Sequence, residues 1–313
     1  YSGNSWSQLG SDIDGEAASD LSGHSVSSSS DGTIIAIGAM YNDGNVSNAG
    51  HVRVYQYNGS VWNQLGQDID GEAGDDYSGN LVSLSSDGTI LAVGASYNDG
   101  NGSNSGHTRI YQYSGNSWSQ LGSDIDGEAA GDLSGNSVSL SSDGTIVAIG
   151  ATNNDANGTD SGHIRIYKID KATNLNVDGN LVVNGNLKVT SNQSVWAQLG
   201  ADIDGEAVDD YSGYSVSLSS DGTIVAIGAY GNDGNGSNSG HVRVYQYIGS
   251  SWSQLGADIN GSGGTAYSGY SVSLSSDGTI LAVGEPYYNN NKGLYKIYEY
   301  SGSKWSQKAE TLK

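Results

Sequence analysis

Residues 211–229 read YSGYSVSLSSDGTIVAIGA, and four further stretches of the chain follow the same pattern. The S-D-G turn inside this stretch recurs at steps of 56, 56, 78 and 56 residues, at Asp31, Asp87, Asp143, Asp221 and Asp277. The tryptophans keep the same spacing with a final step of 53, at Trp6, Trp62, Trp118, Trp196, Trp252 and Trp305. A period near 56 residues, kept through the chain, indicates repeated supersecondary units.

Each repeat contains four segments that resemble β-strands. In the fourth copy these are Tyr214–Ser219, Thr223–Ala229, His241–Tyr247 and Ser251–Ile259. The second segment is almost continuously apolar, as expected for a strand covered on both faces. The S-S-D-G sequence between the first two predicts a tight hairpin turn. No stretch shows an apolar period of 3.6 residues with caps, so we expect almost no helix.

Four strands per repeat are typical of an all-β β-propeller, here with about five four-stranded blades. One such sheet cannot bury both of its faces, whereas radial stacking lets each blade cover its neighbour. An open β-solenoid is the alternative, but its coils are usually shorter and lack these hairpin turns. We predict a single propeller domain over residues 1–313, with repeats near 14–69, 70–125, 126–203, 204–259 and 260–313.

The pattern Y-S-G-Y-S-V-S-L-S followed by I-V-A-I-G-A resembles the FG-GAP repeat of integrin α-subunit propellers and their microbial and algal relatives. Tyr211–Gly213 and Tyr267–Gly269 stand where that family has Phe-Gly, and Gly228–Ala229 and Gly284–Pro286 stand at its Gly-Ala-Pro. The resemblance covers nearly the whole chain outside one insert and implies a propeller. The family often carries an acidic calcium loop between these two strands, where this chain has only S-S-D-G.

The two ends of the chain supply one strand too many. Tyr1–Ile13 repeats Tyr113–Ile125, so a lone fourth strand precedes the first repeat, while Ser303–Leu312 offers a fourth strand at the other end. Six candidate fourth strands therefore accompany five copies of the other three. The spare strand either trails from the fold or pairs with another molecule.

The step of 78 residues contains a 22-residue insert, near residues 171–192, with a period of its own. Asn174–Gly179, Asn180–Gly185 and Asn186–Ser191 are hexads of the form N-L-x-V-x-G, which resemble segments of viral and phage fibre proteins. Hexads are a β-helix signature, but three are too few for an independent solenoid. The insert is interpreted as a small β-meander or as an assembly surface.

Composition limits the partners. The chain has 12 basic and 34 acidic residues, a net charge of -22, so nucleic acid and anionic membrane surfaces are poor partners, while Ca²⁺ is compatible. The absence of cysteine excludes disulfides and zinc–thiolate sites. No apolar run approaches the ~20 residues of a membrane span. The chain starts at Tyr1 without a signal-peptide pattern, which we interpret as a mature or excised piece.

The motif D-I-D-G-E-A-x-x-D is the first candidate metal site. Its two aspartates share one face of a strand and repel unless a cation, or the repeated Arg53, Arg109, Arg165 and Arg243, neutralises them. We predict that a cation binds here, with calcium as the candidate ion. The alternative is a solvated acidic loop without a cation. The residues are Asp12, Asp14, Glu16, Asp20, Asp68, Asp70, Glu72, Asp76, Asp124, Asp126, Glu128, Asp132, Asp202, Asp204, Glu206 and Asp210. The fifth copy, Asp258–Ser262, has lost most of the acids.

The loop N-D-G-N-G-S-N-S-G is an alternative metal site, because it places oxygen ligands at alternate positions. An Asx-rich turn without metal explains the same residues. The ligands would include Asp43, Asn45, Asp99, Asn101, Asp155, Asn157, Asp233 and Asn235. The four asparagines of this set, Asn45, Asn101, Asn157 and Asn235, also begin N-x-S/T sequons, which permit glycosylation in a eukaryotic source.

Histidine and tryptophan each recur at one position of the repeat. His51, His107, His163 and His241 lie two residues before an arginine, and we predict a structural hydrogen bond at the start of a strand. The tryptophans are predicted to pack between blades, with sugar stacking as the alternative.

The motifs of known chemistries are missing from the sequence. It contains no recognisable Ser/His/Asp order, no H-E-x-x-H and no phosphate-binding loop, and identical residues on every blade do not supply an asymmetric constellation. We therefore predict that the chain is not an enzyme and has no catalytic residues.

The predicted role is that of a non-catalytic module, located outside the cell or on the surface of a cell or virion. It would assemble within a matrix, filament or fibre, by binding copies of itself or neighbouring surface proteins. The alternative is a cation-assisted adhesion or glycan- or protein-binding propeller. Neither nucleic acid nor direct membrane insertion is expected, and calcium is the one cofactor considered.

Overall fold

The computed structural model describes residues 5–170 and 195–311, which form five antiparallel sheets. The predicted fold class, an all-β propeller with five four-stranded blades, is confirmed by this architecture. The three hexads predicted within 171–192 lie outside the described residues.

The sheets are numbered 1 to 5 in chain order, and each consists of consecutive strands. Sheet 1 contains β1 (Ser25–Ser28), β2 (Ile34–Ala39), β3 (His51–Tyr57), β4 (Trp62–Gln64) and β5 (Ile69–Asp70). Sheet 2 contains β6 (Leu81–Leu84), β7 (Ile90–Ala95), β8 (His107–Ser114), β9 (Ser117–Gln120) and β10 (Ile125–Asp126). Sheet 3 contains β11 (Ser134–Leu140), β12 (Ile146–Ala151), β13 (His163–Asp170), β14 (Val195–Gln198) and β15 (Ile203–Asp204).

Sheet 4 contains β16 (Ser212–Leu218), β17 (Ile224–Ala229), β18 (His241–Ile248), β19 (Ser251–Gln254) and β20 (Ile259–Asn260). Sheet 5 contains β21 (Ser271–Leu274), β22 (Ile280–Glu285), β23 (Leu294–Tyr300) and β24 (Trp305–Thr311). A four-residue helical segment, α1 (Tyr288–Asn291), lies between β22 and β23. It is the one helix in the described ranges, which confirms the predicted near absence of helix. None of the described residues forms a helix long and apolar enough to cross a membrane.

The fourth segment of the repeat differs from the prediction in sheets 1 to 4. The predicted strand Ser251–Ile259 is two short strands, β19 and β20, which both pair with β18. The interruption lies at Gly256, whose φ is +86°. The indole of Trp305 packs against this glycine, so the turn makes room for a side chain of the next sheet.

An apolar layer separates each pair of consecutive sheets. Between sheets 4 and 5, Val242 and Val244 pack with Leu281 and Val283, and Trp305 covers the edge of the layer. The central strand β17 is buried along most of its length on both faces, as the continuous apolar run predicted. Each sheet therefore buries its apolar side chains against its neighbours rather than alone.

The first strands of the five sheets surround the centre of the molecule. Residues at or next to the first strand of every sheet line a common cavity of about 310 Å³; they include the equivalent residues His24, Asn80, Asn136, Tyr214 and Tyr270. The first strands are thus innermost and the fourth outermost, which is the radial arrangement of a propeller.

Within residues 5–170 and 195–311, no further sheet packs on the two ends of the row of sheets. Gly79, which precedes β6, packs on the carbonyl of His51 in sheet 1, whereas the equivalent Gly23 before β1 has no such neighbour within 4 Å. Sheet 5 is completed by the C-terminal strand β24. Trp62 Nε1 donates to the carbonyl of Leu9 at 2.8 Å, as Trp118 does to Leu65 at 2.7 Å. The N-terminal segment therefore lies on sheet 1 where the fourth strand of a preceding sheet would lie.

Candidate functional site

The four acids of the D-I-D-G-E-A-x-x-D motif separate in the structure, and the last one stabilises a loop. Asp210 is buried and accepts hydrogen bonds from the Ala207 amide at 3.0 Å and from Asn232 Nδ2 at 3.1 Å. Asp20, Asp76 and Asp132 make the same two contacts in their own repeats. These four carboxylates are therefore occupied by hydrogen bonds within the fold.

The first two aspartates of the motif have different partners. The carboxylate of Asp68 accepts a hydrogen bond from Gln64 Nε2 at 2.6 Å, and Asp12, Asp124 and Asp202 are held in the same way. The second aspartate contributes its backbone: the carbonyls of Asp14, Asp126 and Asp204 accept hydrogen bonds from arginines of the sheet that follows the motif. Burial, and to a smaller extent the charge of Asp68, raises the pKa of Asp70.

The glutamate of each motif meets a histidine of the sheet that follows it and an aspartate of the next copy of the motif. Four clusters form, in which one histidine and two carboxylates place their ligand atoms within 4.8 Å of one another: Glu16, His51 and Asp68; Glu72, His107 and Asp124; Glu128, His163 and Asp202; Glu206, His241 and Asp258. The sequence did not predict these clusters because each draws on two copies of the motif. The sequence did contain a sign of these clusters, because the glutamates and the histidines recur with the same period. Asp258 takes part although its own copy of the motif has lost most of its acids.

An arginine lies beside each cluster. Arg165 Nη1 is 3.6 Å from Glu128 Oε1, and its Nη2 donates to the Asp126 carbonyl. Arg109 differs, because its Nε and Nη2 both bind the carboxylate of Asp124, at 2.9 and 2.8 Å. This pairing lowers the pKa of Asp124. The guanidinium groups thus place a positive charge next to each carboxylate pair.

The histidines are buried and neutral. His163 is fully buried, and neither of its ring nitrogens has a hydrogen-bond partner. The predicted structural hydrogen bond is therefore not formed there; Nδ1 instead lies 3.7 Å from Glu128 Oε2. Burial, followed by the charge of Arg165, lowers the pKa of His163, and burial and Arg243 lower that of His241 to about 4.

One neutral imidazole with two carboxylates is a donor set that divalent cations accept. At Glu128 and Glu206 an ion would compete with Arg165 and Arg243, which already lie beside the same carboxylates. The sequence-based prediction of a cation, and of calcium in particular, stays a prediction.

The alternative metal loops are closed by their own hydrogen bonds. Asp233 Oδ1 accepts from the Asn238 amide at 2.7 Å, and Asp43, Asp99 and Asp155 bind the equivalent amides. Asn235 Nδ2 donates to the carbonyl of Gly261 in the next motif at 2.7 Å, and Asn45, Asn101 and Asn157 make the equivalent contact. Metal binding and glycosylation at these exposed loops stay predictions.

The S-S-D-G turns use their aspartates to hold the hairpin. Asp277 Oδ1 accepts hydrogen bonds from Ser275 Oγ at 2.6 Å and from the Thr279 amide at 3.0 Å. The Ser275 bond, followed by those of Thr279, lowers the pKa of Asp277 to about 2. This short turn is therefore closed by side-chain and backbone contacts.

Four of the six tryptophans, Trp118, Trp196, Trp252 and Trp305, lie between sheets, as predicted. The prediction is wrong for Trp6, which is 86% exposed, and Trp62 packs on the N-terminal segment. Trp252 packs against the apolar layer of sheets 3 and 4, and its Nε1 donates to the Leu199 carbonyl at 2.6 Å. The same bond forms from Trp62, Trp118, Trp196 and Trp305.

Five radially packed sheets with repeated inter-sheet clusters define a β-propeller built from sequence repeats. Residues 125–167 and 198–245 match the FG-GAP repeat, and the chain is an FG-GAP-like repeat protein. The resemblance noted from the sequence is thereby confirmed. No curated protein sequence matches the chain.

Several solved structures share the fold. A candidate 6-phosphogluconolactonase from Bacteroides uniformis is 12% identical with a TM-score of 0.57, and the match covers 93% of this chain and 72% of that one. A protein of unknown function from Desulfotomaculum acetoxidans is 11% identical with a TM-score of 0.54, covering 91% and 68%. Hydrazine synthase of Kuenenia stuttgartiensis is 14% identical with a TM-score of 0.52, covering 89% and 71%. At these identities the likeness shows the fold alone.

The prediction that the chain is not an enzyme is contradicted by this likeness. One of the similar structures is an enzyme and another is a candidate enzyme, so proteins with catalytic roles have this architecture. The blades are also not all equivalent, as that prediction assumed. Sheet 5, for example, buries an ion pair between Glu285 and Lys296, at 2.8 Å, where Ala229 and Arg243 stand in sheet 4.

Proposed function

We propose that the chain is a structural module of a surface, matrix, filament or fibre protein, located outside a cell or on a virion, which associates end to end with a second copy of itself. The observation that supports this role is that, among the described residues, no further sheet covers the two end faces of the row, although the N-terminal segment lies on part of sheet 1. Its high negative charge would keep such a module soluble before assembly.

The two end faces have the residues of an inter-sheet junction without its partner. Val26 in β1 is 67% exposed, whereas the equivalent Val82 in β6, covered by sheet 1, is 5% exposed. At the other end Tyr295 in β23 is 50% exposed, whereas the equivalent Val242 in β18 is fully buried under sheet 5. Consecutive sheets form four junctions of the same kind in the chain. The exposed face of sheet 5 is equivalent to one side of such a junction, and the exposed face of sheet 1 is equivalent to the other side.

The similar structures are compatible with a row of sheets to which further sheets can be added. About three tenths of each of those chains lies outside the match, although the match covers nearly all of this chain. A second copy placed head to tail would supply the next sheet in the same direction. Such a contact is heterologous, so it generates rings or filaments according to its rotation.

The expected association is weak, because the end faces are less apolar than the internal junctions. Ser28 stands where β6 has Leu84, so burial of this face removes less apolar surface from water. Analytical ultracentrifugation over a concentration series tests the proposal. We expect the average mass to rise above the monomer with concentration, Val26→Asp to abolish the rise, and Ser28→Leu to shift it to lower concentration.

Ile248→Asp is the matched control, because Ile248 is also largely exposed but lies at the tip of β18 rather than on an end face. It is expected to associate like the wild type. A monomer at every concentration, or equal loss of association in the Val26 and Ile248 variants, would exclude end-to-end assembly through these faces.

A further inference from the structure

A group of tyrosines lies where the chain departs from its own repeat. Tyr214 and Tyr270 stand at a position that carries His24, Asn80 and Asn136 in the first three repeats. Tyr230 stands at a position that carries Met40, Ser96 and Thr152. These three tyrosines lie together at the junction of sheets 4 and 5, near the central cavity. An asymmetric feature in a symmetric scaffold is where a specific ligand site is expected.

The rings form a continuous aromatic surface. Ring centroids are 4.6 Å apart between Tyr214 and Tyr230, and 4.7 Å apart between Tyr214 and Tyr270. Tyr267 extends the surface, at 5.6 Å from Tyr230 and 5.0 Å from Tyr287. The contacts hold the rings in fixed orientations, so the surface exists before any ligand binds.

An open cavity of about 540 Å³ lies against this surface. It is lined by these five tyrosines together with Thr265 and Asn291. Tyr270 and Tyr287 are 39% and 46% exposed, so their rings are accessible from solvent. The volume is in the range of pockets that bind small molecules.

The chemistry of the lining favours a neutral ligand that has both apolar faces and hydroxyl groups. None of the described residues that line the cavity is charged; the polar groups are phenol and threonine hydroxyls and one amide. Burial raises the pKa of Tyr230 to about 12, and burial followed by a hydrogen bond with Tyr270 raises that of Tyr214, so the phenols keep their protons. Protonated phenols donate and accept hydrogen bonds beside an apolar ring face.

Two other ligand classes fit less well. A quaternary ammonium ion needs ring faces that surround an empty space, whereas these rings contact one another directly. An anion would be repelled by the net charge of -22. Negative charge also lies near the site: burial, followed by the charge of Asp160, raises the pKa of Tyr211, and Asp160 is the last of several contributions, after burial, to the raised pKa of Tyr230.

We propose that the cavity between sheets 4 and 5 binds a neutral saccharide, with a sugar ring stacked on the tyrosine surface and its hydroxyls bonded to the phenols, Thr265 and Asn291. A pyranose has an apolar C–H face and a rim of hydroxyls, which match the two kinds of group in the lining. The site goes beyond the assembly role and does not depend on it.

Saturation-transfer NMR with a panel of neutral oligosaccharides, namely cellohexaose, chitohexaose, maltohexaose and laminarihexaose, tests the proposal on the full chain. We expect at least one of them to bind, with ring protons in contact with the protein. Tyr270→Asn introduces the residue of the second and third repeats, so the variant is expected to fold. It should bind that saccharide about tenfold more weakly or worse, a loss of about 1.4 kcal/mol.

Tyr97→Asn is the matched control. Tyr97 is an exposed tyrosine in the turn after β7 that packs on Tyr77, and the third repeat carries Asn153 at its position. This variant should keep the wild-type affinity within about twofold. The proposal is overturned if no saccharide of the panel binds, if Tyr270→Asn binds as tightly as the wild type, or if tetramethylammonium binds the site in place of the sugars.

Discussion

A Cβ atom on Gly228 would lie 2.0 Å from the carbonyl oxygen of Gly269, so two backbones touch where sheets 4 and 5 meet. Gly38 and Gly79, Gly94 and Gly135, and Gly150 and Gly213 repeat the contact. The first glycine of each pair comes from the Gly-Ala part of the motif and the second from the part that resembles Phe-Gly. The two parts of the FG-GAP-like motif therefore meet across neighbouring sheets, which explains why both carry glycine.

Gly228→Ala should destabilise the protein by about 1–3 kcal/mol, because the added methyl group forces the two sheets apart. Urea unfolding followed by circular dichroism measures the change. Gly264→Ala is the matched control, since no heavy atom lies within 4 Å of its Cβ position. Equal stability of the two variants would show that the sheets can move apart without cost.

The period of the sequence predicted the sheets and their radial packing, because identical sheets with apolar central strands can bury them only against one another. It did not predict the contacts between distant parts of the sequence. Glu128 and His163 lie 35 positions apart, and only the fold brings the loop between β10 and β11 next to β13. The tyrosine surface was missed for the same reason: Tyr214, Tyr230 and Tyr270 are separate departures from the repeat until the fold places them side by side.

Two of the errors are local. The fourth segment is predicted as one strand, yet Gly256 adopts a positive φ that ends the strand. The repeated histidines are predicted to make a structural hydrogen bond, but His163 makes none.

The pairing of Asp210 with Asn232 should contribute to the stability of the loop before β16. Asp210→Ala leaves the Ala207 amide and Asn232 Nδ2 without their acceptor, so we expect a loss of about 1–3 kcal/mol in the free energy of unfolding. A double-mutant cycle with Asn232→Ala should give a coupling energy of about 0.5 kcal/mol or more. Additive effects would mean that the two side chains act independently.

The cluster of Glu128, His163 and Asp202 should respond to divalent cations only after Arg165 is removed. In the wild type the guanidinium lies beside Glu128, so EDTA and millimolar Ca²⁺ or Zn²⁺ are expected to leave the melting temperature unchanged. Arg165→Met leaves the carboxylates without a nearby positive charge, and the same ions should then raise the melting temperature.

Adding Glu128→Gln to Arg165→Met should remove the response to the ions. If EDTA instead lowers the melting temperature of the wild type and Glu128→Gln abolishes that effect, the cation predicted from the sequence is bound despite the arginine. Calcium would then be a structural component of the junctions.

The free energy of unfolding should fall as the pH drops from about 6.5 to about 4. In this range the histidines of the unfolded chain take up protons, whereas burial disfavours protonation of the same histidines in the folded state. Burial, followed by the charge of Arg243, lowers the pKa of His241 to about 4, while the unfolded chain keeps the ordinary value near 6.5. Between these values the unfolded state binds more protons, so acid favours unfolding, by about 1.4 kcal/mol per pH unit for each such group.

His241→Leu tests this assignment, since sheet 5 itself has Leu294 at the equivalent position. The variant should fold at pH 8 and lose less stability than the wild type between pH 6.5 and 5, where few carboxylates titrate. His24→Leu, at an exposed position, is the control and should keep the wild-type pH dependence. Urea unfolding at each pH gives the slopes. Identical slopes for His241→Leu and wild type would mean that His241 is protonated without opening the junction between sheets 3 and 4.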